Sequence, residues 1–325
     1  MKGRCRTVDK IPLLVICGPT ASGKTAVAVE LAKNYNAEVV SADSMQIYKG
    51  LSISTAKPDE QEMQGIPHHL IDFLEPDQAF SVADYVQKAG EIIAEIYSRK
   101  KLPILCGGTG LYISSLVENV KFDDTGSDET IRKRLSDEAA AKGNHYLWEK
   151  LAEVDPETAE KVHENNLPRV IRALEVYEIT GVKLSEHKIN SRREASPYDA
   201  CIIGLTCADR DKLYDKINRR VGLMVKNGLV EECRAVYESG ELKTAFQAIG
   251  FKELVPFFKG ECELGDCIEK IKLETRHYAK RQLTWFRNLN GINWVETDKN
   301  DSFEKNLKNI EKIVAKSEIM CYNIF

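Results

Sequence analysis

The chain has 325 residues, about twice the length of an ordinary domain, so we expect a main domain together with a second domain or a large insertion. Its 46 basic and 50 acidic residues give a formal charge of −4, which argues against binding nucleic acid over the whole surface but permits a local basic site. The longest apolar run near the start covers only residues 13–17, too short for a membrane span or a signal peptide, so we expect a cytoplasmic protein without a membrane partner.

Short apolar runs that end at glycine or acidic residues predict a parallel sheet in the first third of the chain. The three predicted strands are residues 13–17, 37–42 and 102–106. A helix is predicted from about Gly23 to Asn34, and another begins at the capping pair Ser81 and Asp84. Strands and helices that alternate in this way form right-handed βαβ units, so the sequence predicts an α/β fold.

Strand signals disappear after about residue 120 and return near residue 198. Between these points the sequence contains only helix starts, at Asp128, at Asp155 with Pro156, and at Asn166. A strand at 201–206, a helix from Asp209 and an apolar segment at 292–295 then resume the α/β pattern. The predicted domains are a first part of the α/β core at 1–120, an all-helical insertion at 121–197, a second part of the core at 198–297 and a polar tail, helical at most, at 298–325.

Residues 18–25 match the phosphate-loop pattern G-x-x-x-x-G-K-[ST] between a predicted buried strand and a helix. Backbone N–H groups of such a loop and the positive end of the helix bind phosphate oxygens, Lys24 adds a charge, and the Thr25 hydroxyl is a candidate ligand of Mg²⁺. The predicted phosphate-binding residues are Gly18, Pro19, Thr20, Ala21, Ser22, Gly23, Lys24 and Thr25. The pattern predicts a P-loop NTPase-like sheet, and it leaves open a small-molecule kinase that uses ATP and a transferase that binds a diphosphate.

Two further polar segments follow predicted strands, at the carboxyl edge of the sheet where ligands bind. Asp43 comes directly after the second strand, and its carboxylate suits a general base beside a bound phosphate, although a cap of the local turn is the alternative. Thr109 lies in the sequence Gly-Gly-Thr-Gly at 107–110, after the third strand. We expect the glycines to let the backbone approach a ligand and the Thr109 hydroxyl to form a hydrogen bond.

Further segments extend this pattern along nearly the whole chain. They are SADSMQIY at 41–48, TAKP at 55–58, PHHLID at 67–72, FSVAD at 80–84, GGTGLY at 107–112, RVIRALE at 169–175, QAIGFK at 247–252 and KRQLTWFR at 280–287. Together with the phosphate loop, this ordered set closely resembles the bacterial tRNA dimethylallyltransferases, also called tRNA isopentenyltransferases.

The resemblance implies transfer of a dimethylallyl group from dimethylallyl diphosphate to the exocyclic N6 amine of the adenosine immediately 3′ of the anticodon. It implies that Asp43 contacts the target amine as the catalytic acid–base group and that Thr109 lies close to the reacting groups. It also implies that Arg220 contacts the diphosphate, with Mg²⁺ as the cofactor. Alternatives are a prenyltransferase acting on free adenine nucleotides and a non-enzymatic RNA-binding module.

The resemblance further implies contacts with the anticodon stem-loop of tRNA, and we expect the chain to act as a monomer. The implied residues are Asp43, Ser44, Met45, Gln46, Thr109, Arg132, Pro168, Arg169, Val170, Ile171, Arg172, Gln247, Gly250, Lys252, Lys280, Arg281, Gln282, Trp285 and Arg287. Glu164 and Pro168 depart from residues that are common at these places in the family.

A long helix predicted over about residues 264–289 carries two different faces. One stripe is expected to pack, and it contains Ile271, Thr275, Tyr278, Gln282, Trp285 and Leu289. Another face is expected to meet phosphates, and it contains Lys272, Arg276, Lys280 and Arg287. Residues 59–95 hold nine acidic residues and one basic residue, so the rest of the chain is basic on balance. The net charge is therefore compatible with one confined RNA-binding surface.

Overall fold

The computed structural model describes residues 10–122, 126–192, 194–240, 248–300 and 302–322. The chain forms two compact units, of which one is Glu118–Ser196 and the other contains the segments on either side of it. The larger unit holds a six-stranded sheet in the order β3-β2-β4-β1-β5-β6, and every neighbouring pair is parallel. The strands are β1 (Ile11–Cys17), β2 (Ala37–Ala42), β3 (His68–His69), β4 (Leu102–Gly107), β5 (Tyr198–Thr206) and β6 (Ile292–Glu296).

The described part of the chain contains fourteen α-helices. They are α1 (Lys24–Asn34), α2 (Glu60–Met63), α3 (Val82–Ser98), α4 (Gly110–Val117), α5 (Glu129–Lys142), α6 (Asn144–Val154), α7 (Pro156–Lys161), α8 (Leu167–Thr180), α9 (Leu184–Asn190), α10 (Arg210–Lys226), α11 (Leu229–Ser239), α12 (Phe251–Phe258), α13 (Leu264–Arg287) and α14 (Phe303–Lys316). No helix among the described residues is both long and apolar enough to cross a membrane.

The central strand β1 explains why the sheet needs helices on both faces. Leu13 and Val15 belong to one buried cluster with residues of α3 and α4, whereas Leu14 and Ile16 belong to another with residues of α1 and α14. Alternate residues of a strand point to opposite faces, so a strand covered on both sides reads as a continuous apolar run. This arrangement confirms the predicted parallel α/β fold.

Helix starts in the larger unit follow the predicted capping chemistry. Ser81 and Asp84 form a complete capping box at the start of α3, because each side chain accepts a hydrogen bond from the other residue's backbone N–H. Asp209 caps α10 by accepting from the N–H groups of Asp211 and Lys212.

Two elements of the larger unit differ from expectation. The two-residue strand β3 pairs with β2 through Val39 and His68, and it is too short to give a periodic signal. The polar tail contains the amphipathic helix α14, whose Ile310 and Val314 are fully buried against the sheet. Apolar residues four positions apart lie on one helix face, so a mostly charged segment can still pack on the core.

The described residues of the smaller unit form helices only, α5 to α9. Three of these helices begin at the predicted positions. Asp128 accepts from the N–H groups at the start of α5, Asp155 caps α7, and Asn166 precedes α8 without a side-chain cap. The core of this unit includes Leu135, Leu151 and Val170. These contacts explain how residues between two parts of a sheet can fold as a helical unit.

Candidate active site

The phosphate loop joins β1 to α1, as predicted. Gly18 has a φ angle of +146° and Gly23 one of +88°, and such left-handed values are easily adopted only by glycine. Gly23 is also the N-cap residue of α1, so the loop leads directly into the positive end of that helix. This is the local geometry that a phosphate-binding loop requires.

The side chain of Lys24, the first residue of α1, contacts this loop. Its Nζ donates to the carbonyl oxygen of Pro19 at 2.7 Å. Burial lowers the pKa of Lys24 to about 8, and the proximity of Arg220 contributes, while Cys106, Asp43 and Cys17 act in the opposite direction. A desolvated cation is stabilised by an anion, so the loop is suited to a phosphate group.

Asp43 and Thr109 fix the ends of two adjacent strands, β2 and β4. Asp43 Oδ1 accepts from the backbone N–H of Met45 at 2.9 Å, so the carboxylate does cap the local turn. Thr109 Oγ1 accepts from the Ser44 N–H at 3.0 Å, and the Thr109 N–H donates to the Ala42 carbonyl at 3.0 Å. Within the described part of the chain, no hydrogen bond to Asp43 Oδ2 is formed. One carboxylate oxygen therefore orients the group and the other is available to a substrate.

The loop after Asp43 brings Arg220 into the site. Gln46 Nε2 donates to the Ala56 carbonyl at 3.1 Å, and Arg220 Nη2 donates to the same carbonyl at 3.4 Å. Burial lowers the pKa of Arg220, whereas the carboxylates of Glu62 and Asp43 raise it. The structure thus brings Arg220, Lys24 and Asp43, which were predicted separately, close enough to influence one another electrostatically.

Helix α13 supplies the last wall of the site. Gln282 is 5 % exposed, its Oε1 accepts from the Thr20 N–H at 2.9 Å, and its Nε2 donates to the Gly108 carbonyl at 2.9 Å. Burial raises the pKa of the Tyr278 phenol and the Asp43 carboxylate raises it further, against the hydrogen bonds with Thr109 and Gln282. Tyr278 is a site residue that the sequence interpretation had assigned only to packing. Helical spacing could have identified it, because Tyr278 lies on the same predicted stripe as Gln282 and Trp285, which the family resemblance assigns to substrate contacts.

The glycines at 107–110 lie close to other parts of the protein. A Cβ at Gly107 would collide with the Ala42 backbone, one at Gly108 with the Gln282 amide, and one at Gly110 with the Trp285 indole. The glycines therefore leave room for neighbouring parts of the protein itself, and the close approach of a ligand to this backbone stays a prediction.

Comparison with known proteins identifies the family of this chain. The family model described as IPP transferase matches residues 46–289. The chain belongs to the IPP transferase family. The tRNA dimethylallyltransferase of Acetivibrio thermocellus is 51 % identical over 305 residues, covering 93 % of this chain and 97 % of the relative. That of Bacillus subtilis is 47 % identical, covering 88 % and 91 %.

Solved structures agree with the family assignment and confirm the predicted resemblance. The full-length tRNA isopentenylpyrophosphate transferase from Bacillus halodurans has a TM-score of 0.71 and 44 % identity, with 94 % of this chain and 96 % of that one covered. A eukaryotic dimethylallyltransferase, whose crystallographic snapshots show it acting on tRNA, has a TM-score of 0.78 and 29 % identity, covering 94 % and 80 %.

The residues that the family resemblance assigns to tRNA fall into several structural groups. Pro168, Arg169, Lys252, Lys280, Arg281, Trp285 and Arg287 have exposed side chains. Val170 is fully buried in the core of the smaller unit and Ile171 packs against that core, so their side chains act in folding. Gly250 is buried as the N-cap residue of α12. Gln247 lies outside the described residues.

Arg132 and Arg172 share one buried partner in the smaller unit. Glu175 is 0 % exposed, and its Oε1 lies 2.8 Å from Arg132 Nε while its Oε2 accepts from Arg172 Nη1 at 2.7 Å. Burial alone would raise the pKa of Glu175, but the hydrogen bonds from Arg172, the Asp128 N–H and Arg132 lower it. The two arginines are therefore oriented by a carboxylate beneath them.

Proposed function

We propose that the chain transfers a dimethylallyl group from dimethylallyl diphosphate to the N6 amine of the adenosine 3′ of the anticodon, acting on tRNA as a monomer. The observation that carries this proposal is the convergence of a phosphate loop, with its desolvated Lys24, and a carboxylate, Asp43, at one sheet edge. Relatives covering over nine-tenths of the chain carry the name tRNA dimethylallyltransferase. The family and the site geometry therefore support the same reaction.

The phosphate loop, Lys24 and Arg220 would hold the diphosphate. When the carbon–oxygen bond of the substrate breaks, negative charge grows on this leaving group, and cations fixed in advance stabilise it. Ser22 supports an anionic ligand here, because its hydroxyl is buried and has no hydrogen-bond partner among the described residues.

The same residues fit Mg²⁺ as a cofactor. Thr25, in the first turn of α1, offers a hydroxyl oxygen, and Mg²⁺ in proteins is held by few protein oxygens together with substrate phosphates. The ion would neutralise charge on the departing diphosphate. Lys24 and Arg220 bind the remaining phosphate charge directly.

Asp43 and Thr109 would act on the amine. The N6 amine is a weak nucleophile because its lone pair is delocalised into the adenine ring. In the proposed step the nitrogen attacks the allylic carbon, the carbon–oxygen bond to diphosphate breaks, and Asp43 accepts the proton that the nitrogen loses. Thr109 lies beside Asp43 through the Ser44 backbone and would help to orient the base.

An adenine next to the anticodon is stacked within a loop, so it must be extruded to reach a carboxylate inside the protein. RNA loops are read through splayed bases and backbone phosphates, for which the exposed Lys280, Arg281 and Arg287 on α13 are suited. The exposed Arg169 of the smaller unit is a further candidate contact.

The deciding experiment incubates the purified protein with labelled dimethylallyl diphosphate and Mg²⁺, together with unmodified tRNA, with AMP, or with neither. We expect label only in the tRNA, on the adenosine 3′ of the anticodon. Label in AMP without tRNA would instead identify a prenyltransferase of free nucleotides. ATP consumption with no label transfer would identify a kinase, and tRNA binding with no transfer would identify an RNA-binding module.

A further inference from the structure

Gln282 connects three segments that converge on the active site. Its Oε1 holds the phosphate loop at the Thr20 N–H, and its Nε2 holds the loop after β4 at the Gly108 carbonyl, each at 2.9 Å. The residue itself belongs to α13, which is far from both loops in the sequence. One amide group therefore ties together the loop for the diphosphate, the loop that carries Thr109 and a helix of the site wall.

The surroundings of Gln282 leave its amide little other use. The side chain is 5 % exposed, and both of its polar ends have protein partners with good hydrogen-bond lengths. Gly108 has no side chain at the place where the amide lies, since an added Cβ would collide with Nε2. Contact of this amide with tRNA would break bonds that are already formed in a buried position.

We propose that Gln282 is a positioning residue that fixes the phosphate loop relative to Thr109 and Asp43, an inference that rests on the proposed function. The diphosphate would be held on one loop and the amine beside the other. The reacting carbon and nitrogen must meet at about 3 to 3.5 Å with correct alignment, and a misplacement of about 1 Å can cost about 100-fold in rate. Strands β1 and β4 are paired as far as Cys17 and Gly107. Beyond that pair, Gln282 is the one side chain in the described part of the chain that bonds both the Thr20 N–H and the Gly108 carbonyl, so it would set the relative position of the two loops.

The first test is Gln282→Met, which keeps the side-chain length and removes both hydrogen bonds. We expect kcat at saturating tRNA and dimethylallyl diphosphate to fall about 100-fold, and inorganic diphosphate with Mg²⁺ to bind more weakly in calorimetry. The tRNA dissociation constant and its salt dependence should remain those of the wild type. Thr284→Ala is the control on the same helix, since this residue is exposed and its hydroxyl bonds only to the Lys280 carbonyl.

The opposite result would assign Gln282 to tRNA. A Gln282→Met variant that binds tRNA more weakly, yet reaches wild-type kcat at saturation and binds diphosphate normally, overturns the positioning role. If the wild type fails to modify tRNA, the proposed function fails by itself. The diphosphate affinities of wild type and Gln282→Met then still report whether the amide organises the phosphate loop.

A second test substitutes Gly108, once in the wild type and once in a Gln282→Ala variant. Gly108→Ala places a Cβ where Nε2 now lies, so it should displace the amide and lower kcat by a similar factor. In a Gln282→Ala background that space is empty, so adding Gly108→Ala should cause less than about a threefold further loss, the signature of coupled residues. Losses that multiply would contradict the proposal. Thermal unfolding of each variant shows that the compared proteins are folded.

Discussion

Strand β2 carries one carboxylate near its start and another just beyond its end, and the two are held in opposite ways. Glu38, near the start, is 2 % exposed and binds two cationic side chains and a histidine. Arg99 donates to its two oxygens at 2.6 and 3.0 Å, Lys101 donates at 2.9 Å, and His69 Nε2 lies at 2.8 Å. Burial would raise the pKa of Glu38, but these hydrogen bonds lower it to about 2.

Asp43, at the other end, is half-buried and is oriented by backbone N–H groups of Met45 and Gln46. Among the described residues, no cation lies within ion-pairing distance of it, although its carboxylate acts to raise the pKa of Lys24 and of Arg220. A carboxylate surrounded by direct ion pairs is a poor proton acceptor, because the pairs stabilise its charged form. The difference therefore separates a carboxylate held by direct ion pairs from one that has none among the described residues.

The largest expected effect comes from Asp43→Asn, which keeps the turn and removes the base. We expect kcat for tRNA modification to fall about 100-fold or more, the range for a lost general base. The free energy of unfolding should change little, since the amide oxygen still accepts from the Met45 N–H. Single-turnover rates at saturating substrates and urea unfolding measure the two effects. Near-normal turnover would show that another group accepts the proton.

Glu38→Gln should give the reverse pattern. We expect the free energy of unfolding to fall by about 2 kcal/mol, below the usual cost of breaking a buried pair because Arg99 and Lys101 remain partly hydrated. Turnover per folded molecule should stay normal. The wild-type pKa is depressed on folding, so its stabilisation is present above pH 4.5 and is lost as the pH falls towards 2. The variant should lack this part of the acid sensitivity in urea titrations, and unchanged stability at neutral pH would contradict the argument.

Lys24 extends the contrast to cations, since burial lowers its pKa to about 8 whereas Arg99 and Lys101 form ion pairs with Glu38. The charged form is needed to bind phosphate, so affinity should weaken as the pH rises through 8. Relative to Lys24→Met, we expect the wild type to lose about tenfold in affinity for inorganic diphosphate between pH 7 and pH 9. Calorimetry with both proteins cancels the titration of the ligand. Parallel pH profiles would mean that Lys24 stays charged throughout.

The fold was predictable where the signal is local. The carboxyl ends of β1 and β2 were predicted at Cys17 and Ala42, as found, because the apolar run of β1 stops at Gly18 and the strand-forming segment of β2 stops at Asp43, where the backbone turns. The strand β3 was missed because two residues carry no period. The packing of helix α14 on the core was not predicted, because the tail is polar in overall composition. Only the helical spacing of Ile310 and Val314 indicates a buried face.

The site was predictable to the same extent. The phosphate loop is a local pattern, and Asp43 and Thr109 follow from the rule that ligands bind at the carboxyl ends of parallel strands. The contact from Gln282 to Thr20 spans 262 residues, and no local pattern contains it. The helical spacing of Tyr278 and Gln282 predicted a packed stripe correctly but could not identify what it packs against.

The smallest expected effect concerns the basic face of α13. The sequence analysis treated its basic residues alike, but in the structure some of them have intramolecular partners. Lys272 donates to Glu269 and Arg276 to Asn218, each at 2.7 Å, whereas Lys280 is exposed and forms no ion pair with any described residue. A lysine that contacts one phosphate releases about one counterion, so Lys280→Ala should reduce the slope of log affinity for tRNA against log salt by about 0.7 to 0.9. Lys272→Ala is the matched control and should change the slope less, because its charge is already engaged by Glu269. Filter-binding titrations over a range of salt concentrations measure both slopes, and equal slopes for the two variants would mean that the intramolecular pair does not decide which lysine meets RNA.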